Sequence, residues 1–142
     1  MYYEDFQVGE RFETDGRTVT EADITLFATL TGAYNPLFLD EEYAKTTVMK
    51  SRVAPGLLIF SLSVGLTYLL PNRPYGVGLI AALGMSFKVY NPVRAGDTIR
   101  CFMVVVGKRE TSDGRRGIVN LRVETVNQLN QRVIEAEVTI MV

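Results

Sequence analysis

The side chains in this chain that could move a proton or attack a carbon are few. Among 142 residues there is no histidine and one cysteine, Cys101. Any nucleophile that needs an imidazole beside it therefore has no base, and this applies to Ser51 as it would to a thiol. Tyr34 can donate a proton, but an ordinary tyrosine pKa near 10 makes it a poor base at neutral pH. Asp40, Glu41 and Glu42 could serve as general acids or bases; the plainer reading is an acidic first turn of a helix, favoured by the helix dipole. Asn35, ahead of Pro36, could contact a ligand or bond its own backbone in a turn. Lys50 and Arg52 could meet a phosphate through charge-assisted bonds, or stand as solvated loop charges. Cys101 falls in a run of β-formers and is expected to point inward as a small hydrophobe. Without imidazole or paired thiols, a zinc or copper site built from soft ligands has no donor set.

Composition narrows the partners. Hydrophobic residues make up 47% and charged residues 22% of the chain, with a net charge of −1. Such a balance gives no general attraction to nucleic acid or to an anionic membrane. The length suits one domain over residues 1–142, and a chain this size buries roughly 70% of its unfolded surface. The longest apolar stretch, Val53 to Leu70, is interrupted by Pro55, Gly56, Ser61, Ser63, Gly65 and Thr67, whereas a membrane span needs about 20 mostly apolar residues. A lone cysteine excludes an internal disulfide, and the acidic start Met-Tyr-Tyr-Glu-Asp-Phe is unlike a secretory leader. Both point to a reducing, cytoplasmic setting.

The elements that must position these residues follow from periodicity. Residues 6–12 read as a turn feeding a short strand, continued by Thr18 and Val19. Thr20 is a candidate N-cap, followed by Glu21 and Asp23 and then Ile24, Phe27, Ala28 and Thr31 at helical spacing, with Gly32 as the stop. Asn35-Pro36 marks a turn, and residues 40–44 a second short helix. Residues 50–56 form a loop in which Pro55 can open a helix. Residues 56–70 are apolar nearly all round, which predicts a helix wrapped by other structure. After residue 75 the period changes. Four β-rich segments, 77–90, 98–109, 116–126 and 132–142, are joined by turns at 91–97, 111–114 and 127–130. An apolar rod and a meander of half-wet strands each cover what the other exposes. The layout is α+β, an antiparallel sheet wrapped around a central apolar helix in the hot-dog manner.

Residues 27–44, Phe-Ala-Thr-Leu-Thr-Gly-Ala-Tyr-Asn-Pro-Leu-Phe-Leu-Asp-Glu-Glu-Tyr-Ala, resemble the signature of the MaoC-like dehydratases, the (R)-specific enoyl-CoA hydratase family. That signature runs aromatic, small, Gly, Asp, any residue, Asn, Pro, aliphatic, His, then a short gap to Ala. Ser86-Phe-Lys-Val-Tyr-Asn-Pro-Val-Arg-Ala-Gly-Asp97 resembles a later family stretch. The resemblance implies a hot-dog fold and an acyl thioester of coenzyme A or an acyl carrier as substrate or ligand, with no other cofactor. It implies a dimer, with an identical chain or with a catalytic hot-dog partner. It also implies a dyad of Asp and His holding the water that adds across an enoyl thioester. At those two positions this chain has Ala33 and Phe38, neither of which exchanges a proton. A further family feature, a backbone N–H at the start of the central helix aimed at the thioester carbonyl, maps onto Pro55-Gly56 and needs no side chain.

The substrate-binding set that follows is Ala33, Tyr34, Asn35, Phe38, Pro55 and Gly56, with the catalytic residues open. Four functions fit: a hydratase or dehydratase using unusual residues, a non-catalytic partner subunit that shapes the acyl tunnel, a hot-dog thioesterase, and another acyl transformation driven by binding and shape. The absence of an acid between Gly56 and Leu70 counts against the thioesterase.

Overall fold

Thr20 and Asp23 bond each other reciprocally: the Asp23 N–H donates to Thr20 Oγ1 at 3.1 Å and the Thr20 N–H donates to Asp23 Oδ2 at 2.9 Å. This box starts α1, Glu21–Thr31, in a computed structural model that describes residues 1–142. Gly32 ends α1 in the left-handed region at φ 76°, where a Cβ would be strained, and its N–H donates to the Ala28 carbonyl. The expected turn at Asn35-Pro36 is instead a cap: Asn35 Oδ1 accepts from the Leu37 N–H at 2.9 Å and opens a four-residue helix, α2, Pro36–Leu39. Asn and Pro suit both a turn and a helix start, so the pair alone does not separate them. Asp40 then caps α3, Glu41–Thr46, by accepting from the Tyr43 N–H.

The central helix α4 is Gly56–Tyr68. It lies on a sheet with strand order β1-β4-β5-β6-β3, where β1 is Arg11–Glu13, β3 Ala81–Val89, β4 Thr98–Glu110, β5 Gly117–Val126 and β6 Arg132–Met141. A two-residue strand, β2, Arg17–Thr18, also pairs with β4, and every pairing is antiparallel. The first long strand, β3, is shorter at its start than the predicted 77–90, because residues 76–80 turn across the chain's first residues; a Cβ on Gly78 would run into the Met1 backbone.

Alternation sets the core. Ile99, Cys101, Met103 and Val105 of β4 are fully buried at every second position, as one face of a strand requires. The register carries that face across the sheet in rows: Met103 opposite Val123, Val123 opposite Ala136, Ala136 opposite Phe87. Leu58, Ile59, Ser63, Leu66 and Thr67 of α4 pack down onto these rows. The wrapping is one-sided, which corrects the expectation of a helix covered on all faces: Leu57 is 59% and Tyr68 49% exposed. The rows also end uncovered at β3, where Met85 and Val89 share the core-facing side yet stay about half exposed. No helix is long and apolar enough to cross a membrane.

Tyr75 is buried beside α4, and burial pushes its phenol up to about 12. A raised folded-state pKa means the neutral phenol stabilises the fold fully below the unfolded value near 10. That contribution is lost as pH rises through 12, and it amounts to roughly 3 kcal/mol. Tyr75→Phe is therefore expected to lose less stability than the parent between pH 9 and pH 12. Denaturant unfolding at both pH values measures this, and identical losses would contradict it.

Candidate functional site

The head of α4 is built by a loop tied down on both sides. The Val53 N–H donates to the Leu37 carbonyl of α2, and the Ala54 N–H to the Val93 carbonyl at 2.7 Å in the turn after β3. Arg94 adds bonds from its guanidinium to the Met49 carbonyl and to Ser51 Oγ. Arg52 closes the other side: its Nε donates to Glu41 Oε2 at 2.9 Å, and its two terminal nitrogens form a fork on the Glu21 carboxylate at 3.1 and 2.9 Å. Bidentate geometry of this kind fixes direction as well as distance. The Arg52 hydrogen bond holds the Glu41 carboxyl below its ordinary value. Helices α1 and α3 are thereby clamped to the loop.

Pro55 is the N-cap residue of α4, extended at φ −57° and ψ 136°, and it offers no side-chain cap. No hydrogen bond is made by the N–H groups of Gly56, Leu57 or Leu58, and the first intrahelical donor is Ile59, onto Pro55. Unpartnered amides at a helix N-terminus, together with the dipole, favour a partly negative oxygen. A cavity of about 320 Å³ opens at this point. Its walls are Phe38, the loop residues Met49, Val53 and Ala54, Gly56 and Ile59 of α4, residues 89–93, and Val133 and Ile134. No carboxylate, amine or guanidinium lines it, and Tyr90 is its one ionisable side chain. Gly56 sits close to the wall: a Cβ there would meet Val89 Cγ2 at 3.3 Å. The site can hold an apolar group and polarise a carbonyl, and its lining has no acid–base pair.

The MaoC like domain profile matches residues 5–127. The chain belongs to the MaoC-like dehydratase family. It is 37% identical over 142 residues to an (R)-specific enoyl-CoA hydratase of Rhodospirillum rubrum, an alignment covering 99% of this chain and 91% of that one. Among solved structures it resembles a monoamine oxidase regulatory protein of Archaeoglobus, with TM-score 0.93 and 35% identity over 100% of this chain and 94% of the other. A Mycobacterium tuberculosis protein with a double hot-dog fold superposes with TM-score 0.85 at 22% identity, covering 100% of this chain and 44% of that one. The fold is the hot-dog fold expected from the sequence.

Of the sequence-predicted site residues, this MaoC-like chain brings Phe38 and Gly56 into one cavity, with Pro55 buried at its edge as the helix cap. Ala33 is half-buried at the end of α1, its N–H on Thr31 Oγ1, and does not line the cavity. Tyr34 points to solvent, 65% exposed. The Asn35 side chain is engaged as the α2 cap. Arg52 is committed to Glu21 and Glu41, which leaves Lys50, exposed and without a partner, as the loop's unpaired cation. Cys101 points inward as expected, and burial pushes its thiol up.

Sequence reasoning missed Met49, Tyr90, Val133 and Ile134 as cavity walls. Tyr90 lies within the Ser86–Asp97 stretch already singled out, so a signal for it was present. Val133 and Ile134 had none, because only strand register carries the start of β6 to the end of β3.

Proposed function

We propose that this MaoC-like chain binds an acyl thioester at the head of α4, with the carbonyl on the Gly56 N–H and the acyl group in the apolar cavity. In this reading it does not hydrate an enoyl thioester through the Asp/His dyad of the family, since Ala33 and Phe38 occupy those positions. The observation that carries the proposal is the unpartnered Gly56 N–H opening onto a cavity without an acid–base pair. One oxyanion donor is worth about 10²- to 10³-fold on a carbonyl reaction, but it moves no proton. An ordered water needs two to four polar partners, which Phe38, Ile59 and Val133 do not supply. Helix α4 carries no carboxylate to drive thioester hydrolysis. Lys50, next to the wall residue Met49, is the cation best placed for a coenzyme A phosphate.

The working form in this reading is a pair of hot-dog chains. The outer edge of β3 is unpaired, and Met85 and Val89 on that strand and Leu57 and Tyr68 on α4 are each about half exposed. Unprotected edges invite strand pairing, and a two-fold axis closes such a pair. The test uses the purified chain with crotonyl-CoA. Calorimetric binding is expected, with a dimer on sedimentation and no loss of enoyl absorbance above the uncatalysed rate. Robust turnover by the chain alone would overturn the non-hydrating reading, and no binding at all would overturn the acyl-thioester reading.

A further inference from the structure

The geometry points to a cavity that accepts an uncharged aliphatic acyl group and rejects one ending in a carboxylate; this rests on the acyl-thioester reading above. The volume, about 320 Å³, corresponds to roughly ten water-sized groups, which suits a short to medium chain. Ile59, Val93, Val133 and Ile134 are each at most 2% exposed, so the far wall is hydrocarbon. The polar features of the lining are the uncharged Asn91 and Tyr90 side chains and the α4 head, where the thioester carbonyl sits in this reading.

Lys50, exposed and unpaired, is the cation assigned above to a coenzyme A phosphate; the nearby arginines are already engaged. Arg52 is held by Glu21 and Glu41. The Arg94 guanidinium is bonded to Ser51 Oγ and the Met49 carbonyl. Arg132 lies over the Tyr90 ring, 4.8 Å from its centroid, and pairs with Glu135 at 3.2 Å. A carboxylate carried into this cavity on the end of an acyl chain would lose its water and find no counter-charge, the most unfavourable way to bury an ion. An acyl chain ending in a methyl group would instead gain from every methylene it hides.

The experiment compares hexanoyl-CoA, adipyl-CoA and free coenzyme A by isothermal titration at pH 7.5. The two acyl groups have the same carbon count and differ at the far end. Hexanoyl-CoA is expected to bind at least about 100-fold more tightly than adipyl-CoA, with adipyl-CoA no tighter than free coenzyme A. Equal affinities for the two thioesters, both above free coenzyme A, would overturn this inference and leave the acyl-thioester reading standing. If all three ligands bind alike, the acyl reading itself falls and this inference with it. A second arm uses Met49→Arg, in the loop at the cavity wall. The new guanidinium is expected to narrow the preference for hexanoyl-CoA by at least about tenfold. A folded Met49→Arg protein with an unchanged ratio would mean that charge is not the discriminator, and would overturn the inference.

Discussion

Ala33→Asp combined with Phe38→His is expected to give the chain measurable hydratase turnover on crotonyl-CoA where the parent has none. Phe38 already lines the cavity that holds Gly56, and an imidazole fits within the space of a benzyl ring, so one proton-handling group would stand beside the bound acyl carbon. Ala33 lies just outside the cavity at the end of α1, held by the Gly32 cap and the Thr31 bond, and the longer Asp side chain must reach in from there to supply the second. Proton transfers of this kind are each worth about 10²- to 10⁴-fold. Either single substitution should give far less than the pair, because a water held from one side is not aligned. Gly56→Pro in the restored enzyme removes the amide hydrogen and adds the pyrrolidine ring. Proline suits the first position of a helix, and Pro55 is already in the extended conformation that a following proline requires. That change should lower kcat by about 10²- to 10³-fold. Gly56→Ala is the control: it places a Cβ in the same tight spot against Val89 but keeps the N–H, and should retain most of the activity. A double variant that folds, binds crotonyl-CoA and turns nothing over would show that positions 33 and 38 do not meet at the acyl group.

How much of this was legible in the sequence depends on what each element needs from its neighbours. Helix α1 is set by local chemistry, a Thr20–Asp23 box at one end and a left-handed glycine at the other, and both ends were readable in advance. The strands announced themselves by alternation, and short hairpins account for the β4-β5-β6 order, but the expected meander puts β3 beside β4, whereas β3 pairs with β6 at the far edge. Helix α4 was legible as a rod but not in its exposure. Apolar residues all round say that every face is eventually covered, without saying whether the same chain does the covering. Leu57 and Tyr68 show that it does not. The site divides in the same way. Gly56 was readable because a helix head after proline is a local feature. Arg52 was open between ligand and structure, and only the fold brings Glu21 and Glu41, 31 and 11 residues away, to its guanidinium. The cavity walls at Val133 and Ile134 depend on register across β3 and β6, and a pattern of period two does not encode which strand lies alongside.

Ser63→Ala is expected to destabilise the fold by about 1–3 kcal/mol, and more than Ser63→Ala with Thr125→Val together. Ser63 on α4, Thr125 on β5 and Cys101 on β4 are fully buried polar groups in an otherwise apolar core. Their bonds have a direction. The Ser63 hydroxyl donates to the Ile59 carbonyl at 2.7 Å, so its oxygen is open to accept, and the Thr125 hydroxyl donates to it at 2.7 Å. The Cys101 thiol sits 3.4 Å from the Thr125 oxygen and 3.6 Å from the Ser63 carbonyl. Removing Ser63 Oγ leaves the Thr125 donor only the weakly accepting Cys101 sulfur, and a buried donor poorly satisfied carries most of its desolvation penalty. Removing both hydroxyls leaves methyl groups facing each other and no donor to satisfy, so the pair of changes should show a coupling of opposite sign to the single loss. For a chain of this size the single change corresponds to roughly 3–10 °C in melting temperature. The same network fixes where α4 sits along the sheet, since Ser63 lies two helical turns beyond Gly56. A Ser63→Ala protein should therefore bind acyl-CoA more weakly even well below its melting point, while the double variant, stable again but without the directional tie, should stay weak. If the double variant regains both stability and affinity, packing alone sets the helix position and the hydroxyl chain is only a tolerated polar inclusion.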